Sequence, residues 1–411
     1  MRVLSSTDCR QLQRLLEPGH RRDAALDRRV ATIVRRVRDG GDQALAAYAR
    51  RFDRLTGPIE VPRAALEAGA RQSSPVVRRA LKDAAAHIRD VARHQRPRGW
   101  RLRVAPGVSV EQRIEPLDRV GCYVPGGRYP LPSSLLMTAI PARVAGVREV
   151  VAVCPKPDPA VFAAALVAGV DRFFQIGGAQ AIAALAYGTA TVPAVDKIVG
   201  PGNRYVAAAK RLVSADCPID FQAGPTEIVI VAAAGRPAWI AADLIAQAEH
   251  DPDARAIFIT PSRRLADRVA RAVAARMPAD GPARESLRRN GAIIVARDAD
   301  EAMAIANRIA PEHLVVDREA RLRGPVRAGA VFVGEYTAQV TGDYAIGSNH
   351  VLPTAGAARF HGGLSAADFV RAVSIQRLTR SGLARLAPTV VTLARAEGLE
   401  GHARSIEVRL S

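Results

Sequence analysis

A carboxylate and an imidazole stand side by side at Glu312-His313, in the segment Pro311-Glu312-His313-Leu314. The surrounding pattern predicts a helix that ends near Ala310 and a strand over residues 313–316. At the start of a strand, the side chains of two adjacent residues can border one cleft. A carboxylate and an imidazole are bases of different strength, and an oxidation in two steps would use both. For the dipeptide alone, a surface acid followed by a core histidine is the better explanation.

Side chains that could hold a metal ion occur at the end of a predicted helix over residues 241–250. Gln247 and His250 are three residues apart, so both would lie on one face of that helix. Further candidates stand in segments whose glycine turns predict loops: Asp343, His350 and His402. An amide oxygen, a carboxylate and imidazoles together suit zinc, or manganese in its place. A solvated polar helix end explains Gln247 and His250 better when the two are taken alone.

Three glycine turns lie where a predicted strand gives way to a helix: Tyr123-Val124-Pro125-Gly126-Gly127, Gly177-Gly178-Ala179-Gln180 and Gly200-Pro201-Gly202-Asn203. Backbone N–H groups and the helix dipole favour a phosphate at such a position. No G-x-G-x-x-G follows a predicted strand, so the usual dinucleotide fingerprint is missing. One glycine turn would be ordinary, but three in one half of the chain favour a nucleotide site.

The elements that must position these residues follow from the hydrophobic pattern. Helical spacing dominates from about residue 22 to 93, and proline and glycine predict a boundary over 96–107. Short apolar runs then alternate with helical segments, which predicts parallel sheets with crossover helices. The strand-like runs are 149–153, 172–176, 197–199, 227–231, 256–260, 292–295, 313–316 and 330–333. The last forty residues return to a helical pattern.

We therefore predict an α/β fold with two Rossmann-like domains that lack the glycine fingerprint. The predicted division is an N-terminal helical segment over 1–97, a first Rossmann-like domain over 98–226, a second over 227–365 and a C-terminal helical arm over 366–411. A chain of 411 residues is long enough for two or three domains. The first Rossmann-like domain would bind the cofactor, and the second would carry the metal and catalytic residues.

The charge balance is 59 basic against 40 acidic residues, or +19, and such a balance ordinarily suggests a nucleic-acid or membrane partner. Nearly all of the basic residues are arginines spread along the chain, without a dense tail or an RNA-binding aromatic motif. Neither partner is therefore expected. The four cysteines form no C-x-x-C pair, and no signal pattern or membrane-length apolar run is present. We expect a soluble, cytoplasmic protein.

The motifs taken together resemble the histidinol dehydrogenase family over essentially the whole chain, from about Arg22 to Leu410. They occur in the family's order at residues 121–127, 177–181, 200–203, 223–227, 247–250, 311–314, 342–353 and 396–399. Their number and length make the resemblance specific.

The resemblance implies a role for individual residues. The implied zinc ligands are Gln247, His250, Asp343 and His402, the last supplied across a homodimer by a domain-swapped arm. His313 would be the general base, and Glu312 would activate water. The implied NAD contacts are Tyr123, Gln180 and Asn203. The implied substrate contacts are His313, the four zinc ligands and Ser133, Thr226, His350 and Glu397.

The activity implied by the resemblance is a zinc-dependent, NAD-linked, four-electron oxidation of L-histidinol through L-histidinal to L-histidine, the last steps of histidine biosynthesis. Thr226 stands where the family also has serine, which keeps the hydroxyl. Arg128-Tyr129 also occurs in relatives that act on other hydroxylated substrates, so a paralogous zinc and NAD dehydrogenase for another polyol or amino alcohol is one alternative.

Two alternatives come from a different class of protein. A non-catalytic metal-binding scaffold would keep Gln247 and His250 but has no use for an intact Glu312-His313 pair. A nucleic-acid-binding protein would account for the arginines, and it predicts salt-sensitive retention of DNA.

Overall fold

A computed structural model of the chain describes residues 1–16, 23–126, 131–222 and 224–411. Its strands are β1 Arg2–Ser5, β2 Glu60–Val61, β3 Trp100–Ala105, β4 Val108–Pro116, β5 Arg119–Tyr123, β6 Glu149–Val153, β7 Arg172–Phe174, β8 Lys197–Val199, β9 Glu227–Val231, β10 Arg255–Thr260, β11 Ala292–Val295, β12 His313–Val316, β13 Ala330–Val333 and β14 Val370–Leu378.

The helices are α1 Cys9–Leu16, α2 Ala24–Tyr48, α3 Arg63–Arg71, α4 Pro75–Gln95, α5 Pro132–Ala145, α6 Pro159–Ala168, α7 Gly178–Tyr187, α8 Arg204–Val213, α9 Pro237–Ala248, α10 Arg263–Arg276, α11 Pro282–Arg289, α12 Ala299–Ile309, α13 Val340–Tyr344, α14 Arg380–Ala396 and α15 Glu400–Glu407. A π-helical turn over Ala49–Asp53 follows α2 directly. Several helices begin at a side chain that accepts backbone N–H groups, as Asp158 does before α6 and Asp298 before α12.

The first sheet has the strand order β2-β7-β6-β5-β8, and its strands from β7 to β8 are parallel to one another. Its strand β6 reads EVVAV and is buried at its last four positions, which is typical of a parallel strand covered by helices on both faces. The chain winds from β5 through β6 to β7 on one side and then places β8 on the other side of β5. The carboxyl ends of β5 and β8 therefore form a topological switch point, where open α/β sheets bind ligands.

The second sheet is fully parallel, in the order β1-β11-β10-β9-β12-β13. Strand β9 is buried at all five positions. It lies between β10 and β12, so the amino ends of β9 and β12 lie side by side, with His313 opposite Ile228. The side chains at these two strand starts belong to the polar cluster described below.

A third, antiparallel sheet joins distant parts of the chain in the order β14-β4-β3. Strand β14 pairs with β4 over nine residues. The helices α14 and α15 follow β14, and the Thr379 N–H before α14 donates to the Gly107 carbonyl in the β3–β4 turn. Apolar side chains of β3 are exposed on this sheet: Trp100 at 49%, Leu102 at 56% and Val104 at 57%. An apolar stripe this open fits contact with another protein surface.

The predicted α/β class with two Rossmann-like sheets is confirmed. Two details of the prediction are wrong. The segment 370–378 is a strand instead of a helix, because its pairing partner β4 lies more than 250 residues earlier and local spacing cannot reveal it. The N-terminal segment is not purely helical, since β1 joins the second sheet and β2 joins the first. Strand β3 lies within the predicted boundary over 96–107, and the positions of the domain boundaries stay a prediction.

None of the helices in the described part of the chain is both long enough and apolar enough to cross a membrane.

Candidate functional site

Glu312 lies at the amino-terminal edge of the second sheet, immediately before β12, and is buried. Its Oε2 atom accepts hydrogen bonds from Thr226 Oγ1 at 2.5 Å and from the Glu227 N–H at 2.9 Å. Burial raises the pKa of Glu312 to about 8, because desolvation of the carboxylate outweighs these two hydrogen bonds. Glu312 can therefore gain or lose a proton near neutral pH.

His313 is the first residue of β12 and is also buried. Its Nδ1 atom lies 3.3 Å from the Glu227 carbonyl oxygen and 3.6 Å from Glu312 Oε2. Because a carbonyl oxygen only accepts, the contact with Glu227 favours the tautomer with the proton on Nδ1. Burial lowers the pKa of His313 to about 4. The ring is neutral at pH 7, and its Nε2 lone pair is free to take a proton.

Asp343 faces His313 from the opposite side, with Oδ1 3.9 Å from His313 Nε2. Gln339 Nε2 donates to Asp343 Oδ2 at 2.8 Å, which fixes the carboxylate. His350 places Nδ1 2.9 Å from the Asp343 carbonyl and Nε2 3.3 Å from Ser134 Oγ on α5. Because α5 follows β5 of the first sheet, the contact of His350 with Ser134 joins the cluster to the first sheet.

Gln247 lies in the last turn of α9 and is 1% exposed. Its Nε2 donates to Thr226 Oγ1, whereas its Oε1 is buried and has no hydrogen-bond partner among the described residues. Burying an amide oxygen without a partner costs free energy. The arrangement of Gln247 therefore fits a residue whose Oε1 is completed by a bound cation.

His250 lies two residues beyond α9 and is exposed. The predicted helix over 241–250 ends two residues early, at Ala248, so His250 lies beyond the helix that holds Gln247. The charge of His250 nevertheless contributes to lowering the pKa of His313 and of His350, after the larger effect of burial. His250 thus stands close to the cluster at its solvent side.

Two predicted site residues, Glu397 and His402, do not join this cluster. Glu397 follows the end of α14 and His402 lies on α15, and both are exposed. Across the described ranges, no three His, Cys, Asp or Glu side chains lie close enough together to hold a metal ion. The fold brings together the following predicted residues: Thr226, Gln247, Glu312, His313, Asp343 and His350. Ser133, next to Ser134 on α5, is half-buried.

A cavity of about 830 Å³ opens at the carboxyl-terminal switch point of the first sheet. All three predicted cofactor residues line it: Tyr123, Gln180 and Asn203. They come from the end of β5, the first turn of α7 and the residue before α8. The two helix starts and the strand end converge because β5, β7 and β8 are parallel and finish at one edge of the sheet.

The glycine turns allow the backbone to approach this cavity closely. Gly200 has φ of +111° and its Cα faces the Tyr123 carbonyl, so a side chain at position 200 would collide with that oxygen. Tyr123 Oη accepts the Gly178 N–H at 3.1 Å. Arg29, Arg51 and Lys156 also line the cavity, and their charge suits an anionic ligand such as a pyrophosphate.

Sequence reasoning missed three residues that hold predicted site residues in place. Gln339 and Asp343 are four residues apart, so their spacing on one helical turn could have indicated the pair. Ser134 adjoins the predicted Ser133, and its contact to His350 spans 216 residues. Asp53 contacts the Gly177 turn from 124 residues away, and no local pattern indicates this. The motif residues Gly127, Arg128-Tyr129 and Ala223 lie outside the described part of the chain.

Comparison with known proteins gives concordant matches. The family model described as histidinol dehydrogenase matches residues 17–410. A histidinol dehydrogenase of Pseudomonas putida is 47% identical, over 98% of this chain and 94% of that protein. One from Methanothermobacter thermautotrophicus is 46% identical, over 93% of this chain and 92% of that protein. The crystal structure of a histidinol dehydrogenase from Elizabethkingia anophelis superposes with a TM-score of 0.94 at 30% identity, covering all of this chain and 98% of the other.

Proposed function

Because the chain belongs to the histidinol dehydrogenase family, we propose that it oxidises L-histidinol through L-histidinal to L-histidine, with NAD as the oxidant and zinc as a bound metal. The observation that carries the proposal is the buried Glu312-His313 pair, in which a neutral imidazole and a carboxyl group of raised pKa lie 3.6 Å apart. Each group of the pair can accept a proton, the imidazole at Nε2 and Glu312 in its carboxylate form.

His313 would act as the base for the alcohol. Its Nδ1 faces the Glu227 carbonyl, so its Nε2 can take the hydroxyl proton of the substrate as the carbon loses a hydride. Burial keeps the ring neutral over the whole range above about pH 4, so the base is available without a competing protonation near neutral pH.

Glu312 would act in the second half of the reaction. As a carboxylate, Glu312 would take a proton from the water that adds to the aldehyde carbon. The hydrated aldehyde would then lose one hydride, the second of the whole reaction, and become the carboxylate of the product. Thr226 Oγ1 and the Glu227 N–H both hold Oε2 of Glu312, which leaves Oε1 to face the water. Each half of the reaction therefore has its own base.

Gln247, His250 and Asp343 would hold the zinc ion, together with His402 of the partner subunit. The fit is supported by the unpartnered Oε1 of Gln247 among the described residues and by the donor set of one amide, one carboxylate and imidazoles, which suits zinc. Zinc would supply Lewis-acid polarisation and a fixed anchor for the amine and imidazole of the substrate.

NAD would occupy the 830 Å³ cavity and accept the hydride of each oxidation. Tyr123, Gln180 and Asn203 would contact it. Ser133, Thr226, His350 and Glu397 would hold the substrate, the last from the partner subunit. The contact of His350 with Ser134 supports this arrangement. It joins the proposed substrate residues at the second sheet to α5, the helix that follows β5 of the first sheet.

We also propose a homodimer in which the arm crosses to the other subunit. His402 and Glu397 lie outside the cluster of their own chain, and the exposed stripe of Trp100, Leu102 and Val104 offers an apolar contact. Mixing an inactive His313→Asn chain with an inactive His402→Asn chain should regenerate one intact site per heterodimer. Activity that stays at the parental baseline after demonstrated subunit exchange would exclude the crossing arm.

The proposed activity is tested by NADH absorbance with L-histidinol, NAD and added zinc. We expect two NADH per substrate molecule consumed, because the alcohol passes to the carboxylate. A control with a related polyol separates the paralogous dehydrogenase from this one. Turnover of the polyol without turnover of L-histidinol would overturn the substrate assignment.

A further inference from the structure

Asp53 ends the π-helical turn after α2, and its side chain reaches into the wall of the cofactor cavity. The residue is 9% exposed. Its Oδ2 atom accepts two hydrogen bonds, from the Gly177 N–H and from Gln180 Nε2, both at 3.1 Å. One carboxylate oxygen thus holds the backbone of the glycine turn and a predicted cofactor side chain together.

The contact determines which end of the Gln180 amide faces the cavity. An ionised carboxylate only accepts hydrogen bonds, so it holds the NH₂ group of Gln180 and leaves Oε1 as the free acceptor. Tyr123 is oriented in the same way, because its hydroxyl oxygen accepts the Gly178 N–H at 3.1 Å and its own hydrogen remains free. The wall therefore presents one acceptor and one donor in fixed positions.

We propose that Asp53 is a positioning residue of the cofactor site, which fixes the Gln180 amide and the Gly177 turn for a nicotinamide dinucleotide. The inference rests on the proposed use of NAD. It adds a residue from the N-terminal helical segment to a site that the motifs confine to the first sheet.

Burying the charged carboxylate of Asp53 costs free energy, and a contact that serves only the fold would not require that charge. The pKa of Asp53 is raised, chiefly by desolvation, against the two hydrogen bonds and the charge of Lys156. The other titratable groups that face it are Tyr123 and Cys154, neither of which is a cation at neutral pH. Among the described residues, no cation lies within 4.0 Å of the Asp53 carboxylate. Its main partners are therefore the Gly177 N–H and Gln180 Nε2.

The experiment measures NAD affinity and the KM for NAD in the zinc-loaded enzyme. Asp53→Ala should raise the KM for NAD about ten- to hundredfold, the worth of a lost charged hydrogen bond, with a smaller change in kcat. Asp53→Asn should stay within a few-fold of the wild type, because its amide oxygen can still accept both N–H groups. Asp298→Ala, which removes the N-cap of α12, is the matched control and should leave the KM for NAD unchanged.

A second pair of variants keeps the test decisive if Asp53→Ala does not fold. Gln180→Glu places two carboxylates in contact and should weaken NAD binding. The double variant Asp53→Asn with Gln180→Glu should bind NAD more tightly than Gln180→Glu alone, because it removes the contact between two carboxylates. A wild-type KM in Asp53→Ala, an unimpaired Gln180→Glu, or a double variant no better than Gln180→Glu would overturn the inference. If the wild-type enzyme itself does not bind NAD, the proposed function fails instead.

Discussion

Replacing Thr226 with valine should disturb the pair of bases without changing the volume of the site. The hydroxyl of Thr226 donates to Glu312 Oε2 and accepts the amide of Gln247. Valine offers neither contact. The buried Nε2 of Gln247 loses its partner, which costs about 1–3 kcal/mol of the free energy of unfolding, and the Glu312 carboxylate keeps only the Glu227 N–H.

The loss of that hydrogen bond raises the pKa of Glu312 above its starting value of about 8. One charged hydrogen bond is worth roughly one pKa unit, or about 1.4 kcal/mol. At pH 7 the carboxylate fraction would fall from roughly one tenth to roughly one hundredth. The oxidation of supplied L-histidinal at pH 7 should therefore slow about tenfold, and the difference should shrink as the pH approaches 10.

The stability effect has the opposite dependence on pH. The pKa of Glu312 in the folded protein lies above its ordinary value of 4.5, so the stability contributed by its protonated form is present below pH 4.5 and is lost as the pH rises through about 8. Thr226→Val raises that folded-state pKa further. Its destabilisation in urea should thus be larger at pH 9 than at pH 6.

The assay compares Thr226→Val with Thr226→Ser, which keeps the hydroxyl. NADH formation from supplied L-histidinal is followed from pH 6 to 10, and urea unfolding is followed at pH 6 and 9. If both variants show the same pH midpoint for aldehyde oxidation, the hydroxyl does not set the pKa of Glu312 and the reasoning is refuted.

Three further predictions concern other parts of the protein. His250→Asn should lower the zinc content measured by metal analysis while the stability of the metal-free protein stays within about 0.5 kcal/mol of the wild type, since His250 is exposed; unchanged zinc content would contradict its role as a ligand. Glu312→Gln should lose at least tenfold more of aldehyde oxidation than of alcohol oxidation, and an equal loss of both would exclude separate bases. Lys210→Met should destabilise the protein by about 3–5 kcal/mol, because it leaves Asp220 buried without its ion-pair partner; a loss below about 1 kcal/mol in urea unfolding would show that the pair is not needed.

The parallel strands could be predicted because their patterns are local. Strands such as β6 and β9 are short apolar runs between helical segments, and the predicted ranges 149–153 and 227–231 coincide with them. The glycine turns were predictable for the same reason, since four or five adjacent residues form a turn between strand and helix. The convergence of Tyr123, Gln180 and Asn203 on one cavity then follows from parallel strands ending at one edge.

The remaining features depend on contacts between distant residues. Phe369 and Val373 are spaced as in a helix, but Val373 lies in strand β14, which is paired along its length with β4. Helix α9 ends at Ala248, two residues before the predicted end, so His250 lies beyond the helix. Asp53 reaches Gly177 across 124 residues, a distance at which no motif in the sequence could indicate the contact.

The proposed cofactor cavity is lined by residues beside the first sheet and by α2 and the turn after it, and none of its described lining residues belongs to the cluster around Glu312 and His313. A reduced dinucleotide could therefore leave and an oxidised one enter without loosening any residue that holds the half-oxidised substrate. One half of the molecule would retain a reactive aldehyde while the other half is emptied and refilled. Such an arrangement would need only one dinucleotide site for two successive oxidations, and it would keep the aldehyde from escaping to react with amines elsewhere.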